Sequence, residues 1–165
     1  MAADVPSKAT KASGNKGEEE LDRGPLPGFL GWLLRRAERV CMTWHRDLMQ
    51  EYAITPSQFE VLSLIRHNSG ASQSAIARAV GVDRSTMVSL IDKLEAKELI
   101  KRMPDPVDRR AHQMHITDQG QTFHDELFAK AMERDRKFTA DLSKEDRAVL
   151  RELLWRLGHP DNFNH

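Results

Sequence analysis

One cysteine in 165 residues, no apolar run long enough to cross a bilayer and no excess of either charge distinguish this chain, and each lack excludes something. Cys41 alone cannot build an intrachain disulfide framework, which suits a reducing cytoplasm. No segment approaches the roughly 18 consecutive apolar residues of a membrane span, and the opening stretch MAADVPSKATKASGNKGEEE has no apolar core of signal-peptide type. A soluble cytoplasmic protein with no membrane partner is expected. Catalytic signatures are missing too: there is no HExxH, no phosphate-cradling glycine loop and no Gly-x-Ser-x-Gly. The seven histidines do not make up for that. His112 and His115 stand three apart in a strand-like alternation, so they fall on opposite faces and are poorly placed to share a metal. No enzyme, cofactor or metal site is expected.

Because 25 Lys and Arg balance 25 Asp and Glu, the placement of charge carries more than its total. Between Ser72 and Arg110 there are eight basic and six acidic side chains, a mild local excess. The length fits one domain of the usual size, about 100 to 200 residues, plus a tail. Residues 1–24, rich in Lys, Ser, Gly and Glu, offer almost nothing to bury and read as a disordered, solubilising arm. From Pro27 onward Leu30, Leu33, Leu34, Ala37, Val40, Cys41, Trp44 and Leu48 recur at spacings of three and four, the stripe of a long first helix over roughly 28–50.

Start signals then follow in quick succession. Thr55 caps a helix with Pro56 at its first position, Gln58 completes a capping box, and Ile54 is spaced to staple Phe59. That helix should run to about His67. Ser72 caps a short helix through Ala79, Gly81 supplies a left-handed turn, and Asp83 caps a further helix through about Lys97. Two helices joined by a short glycine-bearing turn have helix-turn-helix geometry. Pro104 and Pro106 forbid helix in the next segment, and the alternation of His112–Ile116 places Met114 and Ile116 on one face of a strand, so a β-hairpin wing is expected. Thr117 and Ser143 cap two more helices, carrying Phe123, Leu127, Ala131 and Phe138, and then Val149, Leu150, Leu153, Leu154 and Leu157.

The fold class that emerges is mainly α with a small β-hairpin wing: a winged helix-turn-helix of about six helices. Residues 53–117 form the winged unit, residues 25–52 and 118–158 a helical dimerisation region, and 159–165 a short tail. The first, fifth and sixth helices carry more apolar surface than the small winged unit can cover, and a second copy is the economical partner. A two-fold homodimer also suits double-stranded DNA, whose half-sites repeat about once per helical turn.

On the helix after Asp83, a buried line of Met87, Leu90, Ile91 and Leu94 leaves Ser85, Val88, Ser89 and Asp92 on the opposite face, with Arg84 and Thr86 beside the helix start. These short side chains permit close approach in a major groove. Ser and Thr bond base edges or phosphates, Val88 meets a thymine methyl, and Arg84 reads guanine. The alternative is an ordinary solvated face. In the wing, Asp108 two residues before Arg110 can hold the guanidinium extended for a narrow minor groove, the alternative being a charged solvated turn. Thr86, Lys101 and Arg109 are candidates for phosphate contacts.

Ile54–Leu62, Ser85–Leu94, Asp108-Arg109-Arg110 and Ile116-Thr-Asp-Gln-Gly120 together resemble the MarR family of bacterial regulators. Asp-Arg-Arg followed by a strand and Ile-Thr-x-x-Gly is the most specific part, and the resemblance extends over about residues 28–158. It implies a triangular dimer closed by the terminal helices, a recognition helix in each major groove, a wing-tip arginine in the minor groove, and a ligand pocket between dimer region and reading head. The longer N-terminal arm and Ile116, where Leu is commoner, depart from the pattern.

Two expectations concern signals. Trp32, Arg36 and Arg39, spaced four and three apart, pair a flat aromatic with fixed positive charge. With Phe59 they would suit a small-molecule effector such as an aromatic carboxylate or its acyl-thioester, the alternative being interface packing and solvated arginines. Cys41 offers a redox-sensing alternative, opposed by its place on the apolar stripe, where burial makes a thiol inert.

Overall fold

Local capping chemistry sets most of the boundaries in the computed structural model, which describes residues 21–105 and 112–158. The expected arm up to residue 20, the wing tip with Asp108, Arg109 and Arg110, and the tail 159–165 lie outside the described residues. Among those described there are six α-helices and three short strands.

The chain divides into one unit up to Ala37 and another from Glu38. In the first, a 3-10 turn at Leu26–Gly28 precedes the start of helix α1, Leu30–Glu51, two residues later than the periodicity suggests because the turn occupies that stretch. Of the stripe expected to be buried along α1, Leu48 alone is buried within this chain; Leu30, Leu33, Leu34, Val40 and Trp44 are 40–54 % exposed.

In the second unit, α2 spans Pro56–His67, and its capping box is complete: Gln58 N donates to Thr55 Oγ1 at 3.2 Å and Thr55 N to Gln58 Oε1 at 2.8 Å. Strand β1, Ala71–Ser72, is an element not anticipated from the sequence. Helix α3, Gln73–Val80, begins at the Ser72 cap and ends at Gly81, whose φ of 75° is the left-handed conformation glycine adopts without a Cβ clash. Helix α4, Arg84–Ala96, then leads into β2, Ile100–Pro104, and β3, His112–Ile116. The antiparallel sheet has the order β1-β3-β2, with Arg102 opposite Met114 and Ala71 also opposite Met114. Helices α5, Asp118–Phe138, and α6, Lys144–Leu157, start at Thr117 and Ser143.

The core of this unit gathers Val61, Leu62 and Ile65 of α2, Met87, Ile91 and Leu94 of α4, and Leu99, Ile100, Met114 and Leu127, all essentially inaccessible. Two polar side chains are buried with it, Gln58 of the α2 capping box and His124 of α5, the latter 3 % exposed. The ring stacks near Phe59 and Phe128, at centroid distances of 5.6 and 5.7 Å, while Nδ1 bonds Asp125 Oδ1 at 2.8 Å and Nε2 lies 3.1 Å from Ser63 Oγ. Satisfied at both nitrogens, the buried imidazole ties α2 to α5 without an orphaned polar atom.

Candidate nucleic-acid interface

The Asp83 carboxylate organises the start of α4. Its Oδ1 accepts from Thr86 N at 2.9 Å and from Ser85 Oγ at 2.5 Å, and its Oδ2 accepts from Thr86 Oγ1 at 2.6 Å. The side-chain bond from Ser85, then those from Thr86, hold the carboxyl well below the usual carboxylate range. One consequence was not visible in the sequence. With their protons committed to Asp83, the Ser85 and Thr86 hydroxyls have only lone pairs left to offer, which argues against the phosphate contact expected of the Thr86 hydroxyl, since a phosphate oxygen also only accepts.

Around this cap the two faces of α4 separate as expected. Met87, Leu90, Ile91 and Leu94 are buried, whereas Arg84, Ser85, Thr86, Val88, Ser89 and Asp92 are exposed. Val88 keeps 38 % of its surface open, a small apolar spot within a polar face. Lys101 stands exposed on β2.

Between α3, α4 and β3 lies an open cleft of about 510 Å³, bordered by Ser72, Gln73, Ser74, Arg78, Arg84 and His112. Gln73, Ser74, Arg78 and His112 were not singled out as site residues. Arg78 was visible only as part of the basic excess, and His112 reaches the cleft because the sheet returns β3 beside α3. Two guanidinium-bearing residues and several hydroxyls at an open cleft can bind an anionic backbone.

The residues expected to hold an effector are placed less uniformly. Arg36 lies over Trp32, its guanidinium carbon 5.7 Å from the ring centroid, so these two do form a cation–π pair. Arg39 is exposed on α1. Phe59 packs against His124 and Phe128 instead of standing open.

Cys41 is half-buried, and burial, followed by the charges of Asp135 and Glu38, pushes its thiol up. Its Sγ lies 3.7 Å from His45 Nδ1, but that nitrogen is also 2.9 Å from the Cys41 carbonyl, which can only accept. The Nδ1 proton is therefore spent on the backbone, and the imidazole does not serve as the thiol's base.

A model of the MarR family matches residues 54–112, the helix-turn-helix and most of the sheet. A transcriptional regulatory protein for the hcr operon of Thauera aromatica is 37% identical over 144 residues, which is 87% of this chain and 87% of that protein. The chain belongs to the MarR family. MarR-family proteins are transcriptional regulators with a DNA-binding winged helix, and the relatives found are regulators, not enzymes. Among solved structures, the transcriptional repressor CouR bound to a 23-mer DNA duplex superposes with a TM-score of 0.78 at 31% identity, over 86% of this chain and 100% of that one. The PcaV regulator from Streptomyces coelicolor in complex with its natural ligand gives 0.73 at 26% identity, over 85% of this chain and 96% of that one. The winged helix-turn-helix fold class read from the sequence thus agrees with both the elements observed and these neighbours. No described helix is long and apolar enough to cross a membrane.

Proposed function

We propose that this MarR-family protein is a homodimeric repressor that reads a pseudo-palindromic operator and is released from it by a small aromatic anion. The observation that carries the reading is the exposed, short-chained face of α4, with Arg84, Ser85, Thr86, Val88 and Ser89 set over a buried hydrophobic line. Such a face enters a major groove closely, and α4 is then the recognition helix. Lys101 and Arg109 contact phosphates, and Arg110, steadied by Asp108, enters the flanking minor groove. CouR, a repressor solved on DNA, supports the repressor role.

The dimer reading rests on open apolar surface. Helix α6 buries none of its residues within this chain, and Val149, Leu150, Leu153 and Leu154 are 42–58 % exposed. A second copy covers such faces by two-fold symmetry. The effector reading rests on the Trp32–Arg36 pair, which offers an aromatic face and a carboxylate partner together, and on PcaV having a natural ligand.

Footprinting on a duplex selected by the protein from random sequence tests the first claim. Two protected half-sites about 10 base pairs apart are expected, and protection of one unsymmetrical half-site by a monomer overturns the dimer. Calorimetric titration of aromatic acids and their thioesters into the wild type, Arg36→Ala and Arg39→Ala tests the second. Weaker binding in the variants is expected, and equal affinity throughout removes these arginines from the site. A ligand's leverage on DNA release cannot exceed its differential affinity for the two states, so an effector must bind the DNA-free form more tightly.

A further inference from the structure

The basic residue nearest the middle of β2 does not reach outward. Strand alternation puts Arg102 on the same side as buried Ile100, facing α4, while Lys101 between them is exposed. Its guanidinium donates from Nη1 to Glu95 Oε2 and from Nη2 to Asp92 Oδ1. Glu95 and Asp92 stand three residues apart, one turn of α4, so a single planar fork serves both. The backbone takes part as well: Arg102 N donates to Glu95 Oε1 at 3.2 Å. Because β2 is an edge of the sheet among the described residues, paired there with β3 alone, this outward N–H would otherwise have no ladder partner among them. Glu95 therefore binds β2 through both oxygens, and Asp92 binds it through a third contact.

The side chain of Arg102 is 24 % exposed, against 56 % for Asp92 and 37 % for Glu95. A partly buried, doubly paired guanidinium is worth more than a surface ion pair, and its geometry is restrictive. The three contacts join the last turns of the reading helix to the strand that carries the wing. The pieces they join are those that must enter adjacent grooves at a fixed separation.

We propose that Arg102 is a positioning residue for DNA recognition: by clamping Asp92 and Glu95 it sets the angle of the wing to α4, and it contacts no phosphate itself. The proposal rests on α4 and the wing both reading DNA. It makes a prediction opposite in sign to simple charge counting. Removing two carboxylates from a DNA-facing helix should tighten binding if only net charge mattered. A clamp predicts that the same change weakens specific binding.

The experiment compares wild type, Asp92→Ala/Glu95→Ala, Arg102→Met and the triple variant, each first shown to be folded by its thermal transition. Affinity is titrated on a duplex selected by the wild type and on an unrelated duplex over a range of salt. Loss of about tenfold in specific affinity is expected for the carboxylate pair and for Arg102→Met, with the triple variant no worse than either, because the three groups act as one unit. The unrelated duplex should be bound no more weakly by the carboxylate variant. The salt slope of Arg102→Met should equal that of the wild type. A slope lower by about one makes Arg102 a phosphate ligand and overturns the proposal. So do unchanged or tighter specific binding by Asp92→Ala/Glu95→Ala, and additive losses in the triple variant. If Arg102→Met does not fold, the sign of the carboxylate variant's effect decides alone. Absence of any sequence preference in the wild type overturns the DNA-reading function itself, an outcome distinct from a wild type that discriminates and variants that match it.

Discussion

Gly120 explains at atomic scale why the Ile-Thr-x-x-Gly pattern ends in glycine. A Cβ built there meets the Leu99 carbonyl oxygen at 1.9 Å, its carbon at 2.8 Å and Ile116 Cγ1 at 2.9 Å. The first two are backbone atoms, held in turn by Thr117, whose N donates to Leu99 O at 3.1 Å and whose Oγ1 donates to the adjoining Glu98 O at 2.7 Å. Nothing at that point can yield cheaply, so Gly120→Ala should cost about 3 kcal/mol through overpacking. A urea titration checks this, and an unchanged midpoint refutes it. Asp83 supports a second residue-level prediction. Its carboxylate is favoured in the folded state, so the stability it confers is fully present above the ordinary aspartate value of 3.8 and is lost only as pH falls through the lowered one. Carbon-detected NMR titration should place its inflection below 3.8. An inflection at or above that value would mean that Ser85 and Thr86 do not hold it.

At the scale of elements, what was legible in the sequence is what is local. Thr55 and Gln58, Ser72, Asp83, Thr117 and Ser143 each act on backbone within three residues, so their helices begin where the caps indicate. The outward face of α4 was legible for the same reason, since helical period alone separates Ser85 and Ser89 from Met87 and Leu94. Strand β1 was not, because two residues have no periodicity and are strand only by pairing with Met114 and Gln113, far along the chain. The Arg102 contacts and the place of His112 in the cleft depend on the same return of the sheet, and so escaped a reading along the sequence. Phe59 was assigned to a ligand, and its partner His124 of α5 could not be foreseen from spacing. The wing yields its own test. Arg110→Ala should weaken operator binding by about 1–3 kcal/mol with the thermal transition unchanged, and unaltered affinity at fixed salt refutes the wing-tip role.

At the scale of the whole molecule, the open apolar surface of α6 is the quantity to account for. Leu150 and Leu154, four residues apart and 43 and 42 % exposed, lie on one helical stripe. The helix is fastened to its own chain at its start, where Arg147 Nη1 donates to the carbonyls of Thr139 and Leu142 at 3.2 and 3.1 Å. Contiguous exposed leucines on a helix so anchored are what an interaction surface would present. Leu150→Glu/Leu154→Glu places two carboxylates on that stripe, where a second copy would have to desolvate them. The winged unit should be untouched, because its core draws on Val61, Ile91, Leu94 and Met114 and on no residue of α6. Sedimentation is expected to show a dimer for the wild type and a monomer for the variant, with circular dichroism unchanged. Operator affinity should fall by about 100-fold or more, since each head then binds without the effective concentration that its partner supplies. Binding to an isolated half-site should stay within a few-fold of the wild type. A variant that remains dimeric and keeps its operator affinity would assign the α6 leucines to some other partner, and a wild type that sediments as a monomer would remove the two-fold reading head altogether.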